Sequence, residues 1–319
     1  MTKTSTATAP GSRNWAFGFG GFAVAGFGVD FPDTLDNPVV SPGFFGGIYS
    51  SFQLLQIALP VACRLTDRLS VGFAPTGNWA SLAVTPFSAA APDPTTGGPV
   101  YPNGARMDAK WGVGFQTGVY FNDACTGWHA GVNYSSPQWF QDFKINSRSP
   151  NGVPRQLAFN LDYPGILSLG LAYSGAPRWD FSCDVRYIDY ENTDGFQTAQ
   201  FAPDGSVTGF GWNSIWVVAF GTQYQVSNCV KLRMGYSFNE SPVDSENIFF
   251  NVAAPAVVQH HLSGGFEIDT RWDWILAFAY HHGFENSVTG PIQLPVPPGS
   301  SVGADLSTHT GVLTFSKRF

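Results

Sequence analysis

From Leu55 to Phe73 the chain alternates with a period of two. Leu55, Ile57, Leu59, Val61, Cys63 and Leu65 hold one set of positions and Gln56, Ala58, Pro60, Ala62 and Arg64 the other; after a tight turn at Thr66-Asp67 the apolar set resumes at Leu69, Val71 and Phe73. Period two puts alternate side chains on opposite faces of a strand, so this is a hairpin with one apolar face and one small or polar face. The same pattern runs from Trp111 to Phe121 and on from Trp128 to Tyr134, and from Leu167 to Tyr173 and on from Trp179 to Tyr187. It is cleanest where Trp216, Val218, Phe220 and Tyr224 precede the Ser227-Asn228 turn and Val230, Leu232, Met234, Tyr236 and Phe238 follow it, with Lys231, Arg233, Gly235, Ser237 and Asn239 between them. A fifth hairpin turns at Asp269 to Arg271, and a last strand runs from about Leu306 to Phe319. With a glycine-rich strand near Trp15, about twelve strands result, several longer than the nine to eleven residues that cross a bilayer when tilted.

Composition says where the apolar faces go. Charged residues make up 12% of the chain, about half the share usual in a soluble domain, while 15% are aromatic. No stretch supplies the eighteen or more apolar residues of a membrane helix, and mean hydropathy is -0.03. A membrane chain without such helices has to be a closed barrel, the other structure that pairs every backbone polar group in lipid. The fold class expected is therefore an all-β, antiparallel transmembrane β-barrel over residues 15–319, preceded by a polar leader at 1–14. A soluble sandwich or propeller would pair apolar with solvated faces rather than with small ones. The net charge of -7 excludes a nucleic-acid partner, which needs a basic face.

Short turns alternate with long Pro-, Gly-, Asn- and Ser-rich connections near 32–50, 86–108, 146–156, 193–211, 242–257 and 286–304. In bacterial barrels the turns are periplasmic and the long loops extracellular. Trp128, Trp179, Trp272 and Trp274 stand close to short turns, as a periplasmic aromatic girdle would. Leu313, Phe315 and the terminal Phe319 share one face, like the carboxy-terminal strand that barrel-assembly machinery reads, although Lys317 falls where an apolar residue is expected. Cys63, Cys125, Cys183 and Cys229 fit neither zinc nor CxxC spacing and are expected as free thiols. The segment Trp15 to Val29 could be a signal peptide cleaved at Ala23-Val24-Ala25, but its five glycines and its alternation of Trp15, Phe17 and Phe19 suit a strand better. An outer-membrane protein needs an export signal, so the natural chain is expected to start further upstream.

The segments Leu54–Leu82, Trp111–Tyr120, Gly131–Lys144, Tyr163–Tyr173, Lys231–Val243 and His260–Gly265 resemble the FadL/TodX family of outer-membrane hydrophobic-compound transporters, the fifth of them (KLRMGYSFNESPV) most closely. The resemblance implies a fourteen-stranded barrel, plugged by an amino-terminal hatch, that passes apolar substrates by diffusion. Neither the hatch nor its Asn-Pro-Ala-Gly motif is found here, and two strands are missing, so the first strand here would correspond to the third of the family. In the family that strand carries the kink associated with substrate exit. Gly18, Gly20, Gly21, Gly26 and Gly28 fall on it, and strand glycines often mark a bend; the alternative is that they only relieve crowding in the wall.

The function this implies is passive uptake of long-chain fatty acids or aromatic hydrocarbons past the lipopolysaccharide surface. At roughly 0.8 kcal/mol per CH₂, releasing a long acyl chain into water costs on the order of 10 kcal/mol, so sideways exit into outer-membrane lipid is favoured. Phe44, Phe45, Phe249 and Phe250, with Ile48, Val252, Ile292, Leu294 and Val296, would capture an apolar ligand or pack within their own loops. Arg186, Lys231 and Arg233 face inward and would meet a carboxylate head group, or form ladders with Asp184 and Glu267. His261 and His281 come together on one inner face, but nothing nearby completes a metal site. No cofactor is called for, and neither a nucleophile elbow nor a phosphate loop suggests an enzyme. A structural or adhesive barrel and a general diffusion porin are the alternatives; the porin would need a lumen crowded with charge, and the inward set is mostly Gly, Ala, Ser and Gln.

Overall fold

The computed structural model describes residues 14–31, 48–85, 107–148, 153–202, 206–270, 274–293 and 299–317. Its strands are β1 (Trp15–Phe17), β2 (Gly20–Phe31), β3 (Ile48–Ala58), β4 (Val61–Arg64), β5 (Leu69–Thr85), β6 (Asp108–Asp123), β7 (Trp128–Ser135), β8 (Trp139–Phe140), β9 (Phe143–Arg148), β10 (Pro154–Phe159), β11 (Gly165–Ala176), β12 (Trp179–Asp189), β13 (Ile215–Ser227), β14 (Val230–Asn239), β15 (His260–Asp269), β16 (Trp274–Pro291) and β17 (Ser301–Lys317), with a 3-10 turn at Ser245–Asn251. One antiparallel sheet runs β1-β4-β5-β6-β7-β11-β12-β13-β14-β15-β16-β17, with β2 on β3 and β3 on β5. β1 continues into β2 and β3 into β4 after one short interruption each, so among the described residues the wall has the twelve strands expected from the alternation.

Each strand keeps one face for the interior. On β3, Ile48, Ser50, Phe52, Leu54, Gln56 and Ala58 are buried, while Tyr49, Leu55 and Ile57 are exposed on the outer wall. The sheet is curled, because its two ends enclose one core: Ile48 and Phe52 of β3 and Val302 of β17 belong to the same buried apolar cluster, with Phe27 of β2 and Leu306 of β17 packed against it. The short turns lie at one end, where Trp128, Trp179 and Trp274 are exposed on the outer wall. The four cysteines are unpaired. Phe319, Trp272 and the leader 1–13 lie outside the described residues.

The long connections fold inward. β9 and β10 form a hairpin of their own, which alternation did not foretell; Phe143 and Ile145 pair with Phe159 and Leu157, and all four side chains are buried in the cluster. The 3-10 turn adds Ile248, Phe249 and Phe250. It rests against β16 at Gly290, where any Cβ would collide with the Ser245 carbonyl and lie 3.0 Å from Ile248 Cγ2. This is one of the positions where the absence of a side chain is what permits the packing.

A line of ladder defects crosses the wall below this core. β1 and β2 are separated at Gly18–Phe19, where Gly18 N donates to Pro60 O at 2.9 Å, and Leu59-Pro60 separates β3 from β4. Leu59 N donates to Pro75 O on β5, Pro75 pairs with Phe115 on β6, and Phe115 O accepts from Ser136 N, just past the end of β7. Proline has no N–H to give to a ladder, so Pro60, Pro75 and Pro137 each remove a bond from this band.

Candidate functional site

The site is assembled from residues that the folded-in connections bring onto the upper inner wall. Phe27 (β2), Ser50 (β3), Leu82 and Val84 (β5), Phe159 (β10) and Phe250 are among the residues enclosing a cavity of about 40 Å³. Val207, Phe210, Ala253 and Ala254 complete its lining. Phe27 stacks on Phe52 at 5.4 Å, and Phe159 meets Phe210 edge-on at 6.0 Å. Ser50 is the one polar side chain of the lining, and its hydroxyl donates to Ala253 O. The lining is therefore apolar in function as well as composition, and it contains no cation. Asn251 fixes the 3-10 turn behind it: Nδ2 donates to Phe210 O and Asn247 O, both at 2.8 Å, and Oδ1 accepts from Trp212 Nε1.

Of the loop residues named from sequence, Phe250 lines the cavity; Phe249 is buried behind it in the cluster. Phe44 and Phe45 lie outside the described residues. Phe27, Leu82, Val84, Phe159, Val207 and Phe210 had not been singled out.

Directly below the apolar cluster the inner wall turns polar. Gln138, which projects from the bulge after β7, reaches over Gly114 of β6 to the inner faces of β3 and β5. Its Oε1 accepts from Asn78 Nδ2 at 2.6 Å, Thr76 Oγ1 at 2.7 Å and Gln56 Nε2 at 3.3 Å. Gln56 Nε2 also donates to Asn78 Oδ1 at 2.9 Å, and Gln56 Oε1 accepts from Gln116 Nε2 at 3.0 Å. Gln56, Thr76, Asn78 and Gln138 are all buried. On the β14–β16 side, Asn239 Nδ2 donates to Val258 O and its Oδ1 accepts from His261 Nε2 at 2.9 Å, and Asn286 donates to Val257 O. Paired amides on the β3–β6 and β14–β16 sides thus form a polar collar between the apolar cluster above and a wider lumen below, where a space of about 640 Å³ is bordered by small residues such as Ser182, Gly221, Gly235, Ser263 and Ala277.

Two of the three inward cations named from sequence are neutralised by the wall. Glu267 accepts from Lys231 Nζ at 2.9 Å and from Arg233 Nη2 at 2.6 Å, and Arg233 Nε donates to Gln223, whose amide donates to Asp180. This is a ladder across β12 to β15, so the ladder reading, and not a free pair of head-group anchors, describes Lys231 and Arg233. Arg186 differs: it is exposed to the lumen, forms no ion pair among the described residues, and has the Tyr163 phenol in its field. His261 and His281 stack at 5.0 Å inside the wall, and among the described residues no group of three His, Cys, Asp or Glu could hold a metal ion.

The glycines of the first strand occupy distinct places. Gly18 lies at the interruption; Gly20 and Gly21 open β2 just above it; Gly26 and Gly28 lie beyond a bulge at Ala23/Ala25. A Cβ at Gly21 would have nothing nearer than the Gln56 carbonyl at 3.9 Å, whereas one at Gly26 or Gly28 would press on a β3 carbonyl at 3.3 or 3.2 Å. Crowding thus accounts for the second pair and not for Gly21.

At the base of the β9–β10 hairpin, the buried Asp162 carboxylate accepts the Phe140 N–H at 2.7 Å. Burial raises its pKa to about 6, the Phe140 hydrogen bond working against that shift and the charges of Asp194 and Asp142 adding to it. The folded pKa lies above the unfolded one, so the folded loops hold the extra proton between pH about 4 and 6, and loop stability falls as pH rises through that window. A shift of this size corresponds to a penalty of about 1–3 kcal/mol at neutral pH. In amide exchange corrected for intrinsic rates, protection of the β9–β10 hairpin is expected to drop between pH 4 and 6.5. Asp162→Asn, which keeps an acceptor for Phe140, is expected to be flat over that range and better protected at pH 7; an unchanged pH profile in this variant would remove Asp162 from the account.

Among the described residues, twelve antiparallel strands with an apolar outer wall, loops folded into one end and a polar collar over a wide lumen define a membrane-spanning β-barrel channel. A family model described as "Outer membrane protein transport protein (OMPP1/FadL/TodX)" matches residues 4–290, and the chain belongs to that family of outer-membrane transporters of hydrophobic compounds. Among solved structures it is similar to the Pseudomonas putida toluene transporter TodX, at 19% identity and a TM-score of 0.69 over 98% of this chain and 81% of that one. It is also similar to the Ralstonia pickettii toluene transporter TbuX (16%, 0.65, 96% and 78%) and to a Pseudomonas aeruginosa FadL homologue (14%, 0.69, 96% and 74%). At these identities the likeness establishes the fold. No protein of curated function matches the sequence.

Proposed function

We propose that the chain takes up neutral, compact apolar molecules, such as monoaromatic hydrocarbons, through its loop-end cluster, and releases them sideways through the band of ladder defects. The observation that carries this reading is the cavity lining: aromatic and aliphatic side chains, one already-bonded hydroxyl, no cation. A cavity of 40 Å³ is smaller than the ~150 Å³ that accommodates benzene in an engineered core. Binding therefore requires side chains to move apart, and Phe250, carried on a turn rather than on the wall, is among those placed to do so. The loop end is taken as extracellular, as in bacterial barrels.

The collar supports the sideways route. An apolar solute passing down the axis would have to separate amides that are paired in the interior, at about 1–3 kcal/mol for each group left unsatisfied. The break at Gly18–Phe19 and Leu59–Pro60 lies beside it, where ladder bonds are already missing. Arg186 favours a second reading, a fatty acid whose carboxylate it would pair with. Its register partner Ser168 lies below Gly165 and Ile166, hence below the collar, so the acyl tail would occupy the lumen and not the cavity.

Equilibrium binding and liposome uptake with toluene and with oleate separate the two. Toluene is expected to bind and to lose at least tenfold in affinity in Phe250→Ala while being indifferent to Arg186→Gln. Oleate uptake that depends on Arg186 and ignores Phe250 would replace the first reading by the second, and uptake of neither would leave a structural barrel.

A further inference from the structure

The outer wall carries a repeated arrangement that transport does not use. His260 (β15), His282 (β16) and His309 (β17) stand on three adjacent strands and alternate with the inward-facing His261 and His281. In two of them a tyrosine of the neighbouring strand holds the ring in the same way: Tyr236 OH lies 2.8 Å from His260 Nδ1, and Tyr280 OH 2.6 Å from His309 Nδ1. His282 packs between His309 at 4.6 Å and Phe284 at 4.6 Å. Tyr236, Tyr280 and Phe284 are exposed on the same face.

Height decides what this face meets. Trp274 and its partner Lys317 mark the turn end of β16 and β17, and His282 and its partner His309 lie eight residues further up. At ~3.4 Å per residue and a tilt near 40° that is roughly 20 Å, within about 5 Å of the upper edge of an apolar band about 25 Å tall. The imidazoles therefore stand where hydrocarbon gives way to the head groups of the outer leaflet. Asp305 lies higher on the same face of β17, and Glu285 on the β16 bulge is exposed nearby; both are acidic and repel an anion approaching from above, so the cationic or donor character at this level belongs to the histidines.

We propose that His260 and His309, positioned by Tyr236 and Tyr280, form a binding site on the barrel's outer wall for the phosphate groups of lipid A. A phenol that donates to Nδ1 makes that nitrogen an acceptor and places the proton on Nε2, and a doubly protonated ring also carries one there. In both states the Nε2–H is the donor that the tyrosine leaves free, and a phosphate oxygen is a strong acceptor for it. Two such donors on strands flanking β16 suit a bisphosphorylated glycolipid, and the exposed Tyr and Phe rings suit its sugar and upper acyl chains.

The test uses the full chain in detergent and measures binding of bisphosphorylated lipid A, dephosphorylated lipid A and phosphatidylglycerol by native mass spectrometry. Wild type is expected to bind the bisphosphorylated form at least fivefold more tightly than either of the others. The H260L/H309L variant, whose substitutions suit a lipid-facing wall, is expected to lose that preference, and Y236F/Y280F to lose part of it with both histidines present. Equal affinity for the three lipids in wild type overturns the proposal without any variant. So does a preference that survives H260L/H309L, or a phosphate-independent contact such as a second copy of the chain occupying this face.

Discussion

Replacing Gly290 by valine is expected to abolish high-affinity binding of apolar ligand while leaving the barrel wall assembled. The new Cβ would occupy the place of the Ser245 carbonyl, which is backbone and cannot rotate aside, and would press on the Ile248 side chain. Valine is itself a good strand residue, so β16 should pair as before with β17 and β15. What has to move is the 3-10 turn, and with it Ile248, Phe249 and Phe250, all buried. Exposing side chains of this kind costs about 1.5–3 kcal/mol each, enough to expel the turn and remove one wall of the cavity. Affinity for toluene should fall at least a hundredfold, the fluorescence of Trp212 should change as its bond to Asn251 is lost, and the heat-modifiable folded fraction should not. A variant that binds normally would show that the turn is not part of the ligand site.

The second large effect is expected at Gln138. Its Oε1 is the common acceptor for Thr76, Asn78 and Gln56, so Gln138→Leu leaves buried donors without a partner at about 1–3 kcal/mol apiece, partly recovered where Gln56 and Asn78 keep their mutual bond. Stability should fall by about 2–4 kcal/mol. The direction of transport should change as well. With an apolar side chain in the collar, the axial path becomes cheaper, and a larger fraction of labelled hydrocarbon should emerge into the aqueous interior of liposomes instead of remaining in the bilayer. An unchanged partition would show that the collar does not direct the solute. Gly114→Val should fail more severely, since Gln138 crosses where that side chain would stand.

Much of the wall could be read in advance because a strand between lipid and a small-residue lumen alternates plainly. Leu232, Met234 and Tyr236 against Arg233, Gly235 and Ser237 is such a case. The site was harder to see because alternation fails where loops fill the barrel. On upper β3 the inward Phe52 and Leu54 are as apolar as the outward Leu55 and Ile57, and a run apolar on both faces does not say which half binds anything. The β9–β10 hairpin was hidden for a related reason: each strand is six residues long, too short for its period to stand out from a polar loop. The turn at Ser245–Asn251 has three adjacent apolar residues and no period at all. Arg186 and the pair Lys231 and Arg233 looked alike in sequence; only the register with Glu267 on β15 separates them.

Two kinds of cohesion meet at the collar. Below it, the wall is held by ladder hydrogen bonds and by lipid on the outside; above it, Phe143, Leu161, Ile248 and Val257 form an interior like that of a water-soluble domain. Burial of this second kind carries a large heat capacity and weakens on cooling, whereas backbone pairing within a bilayer has little reason to. The loop end therefore has its own temperature dependence. If the cavity is the entry proposed above, it is expected to loosen first in cold water, so that the channel admits apolar solutes more readily at temperatures where those solutes cross the stiffened outer leaflet least easily.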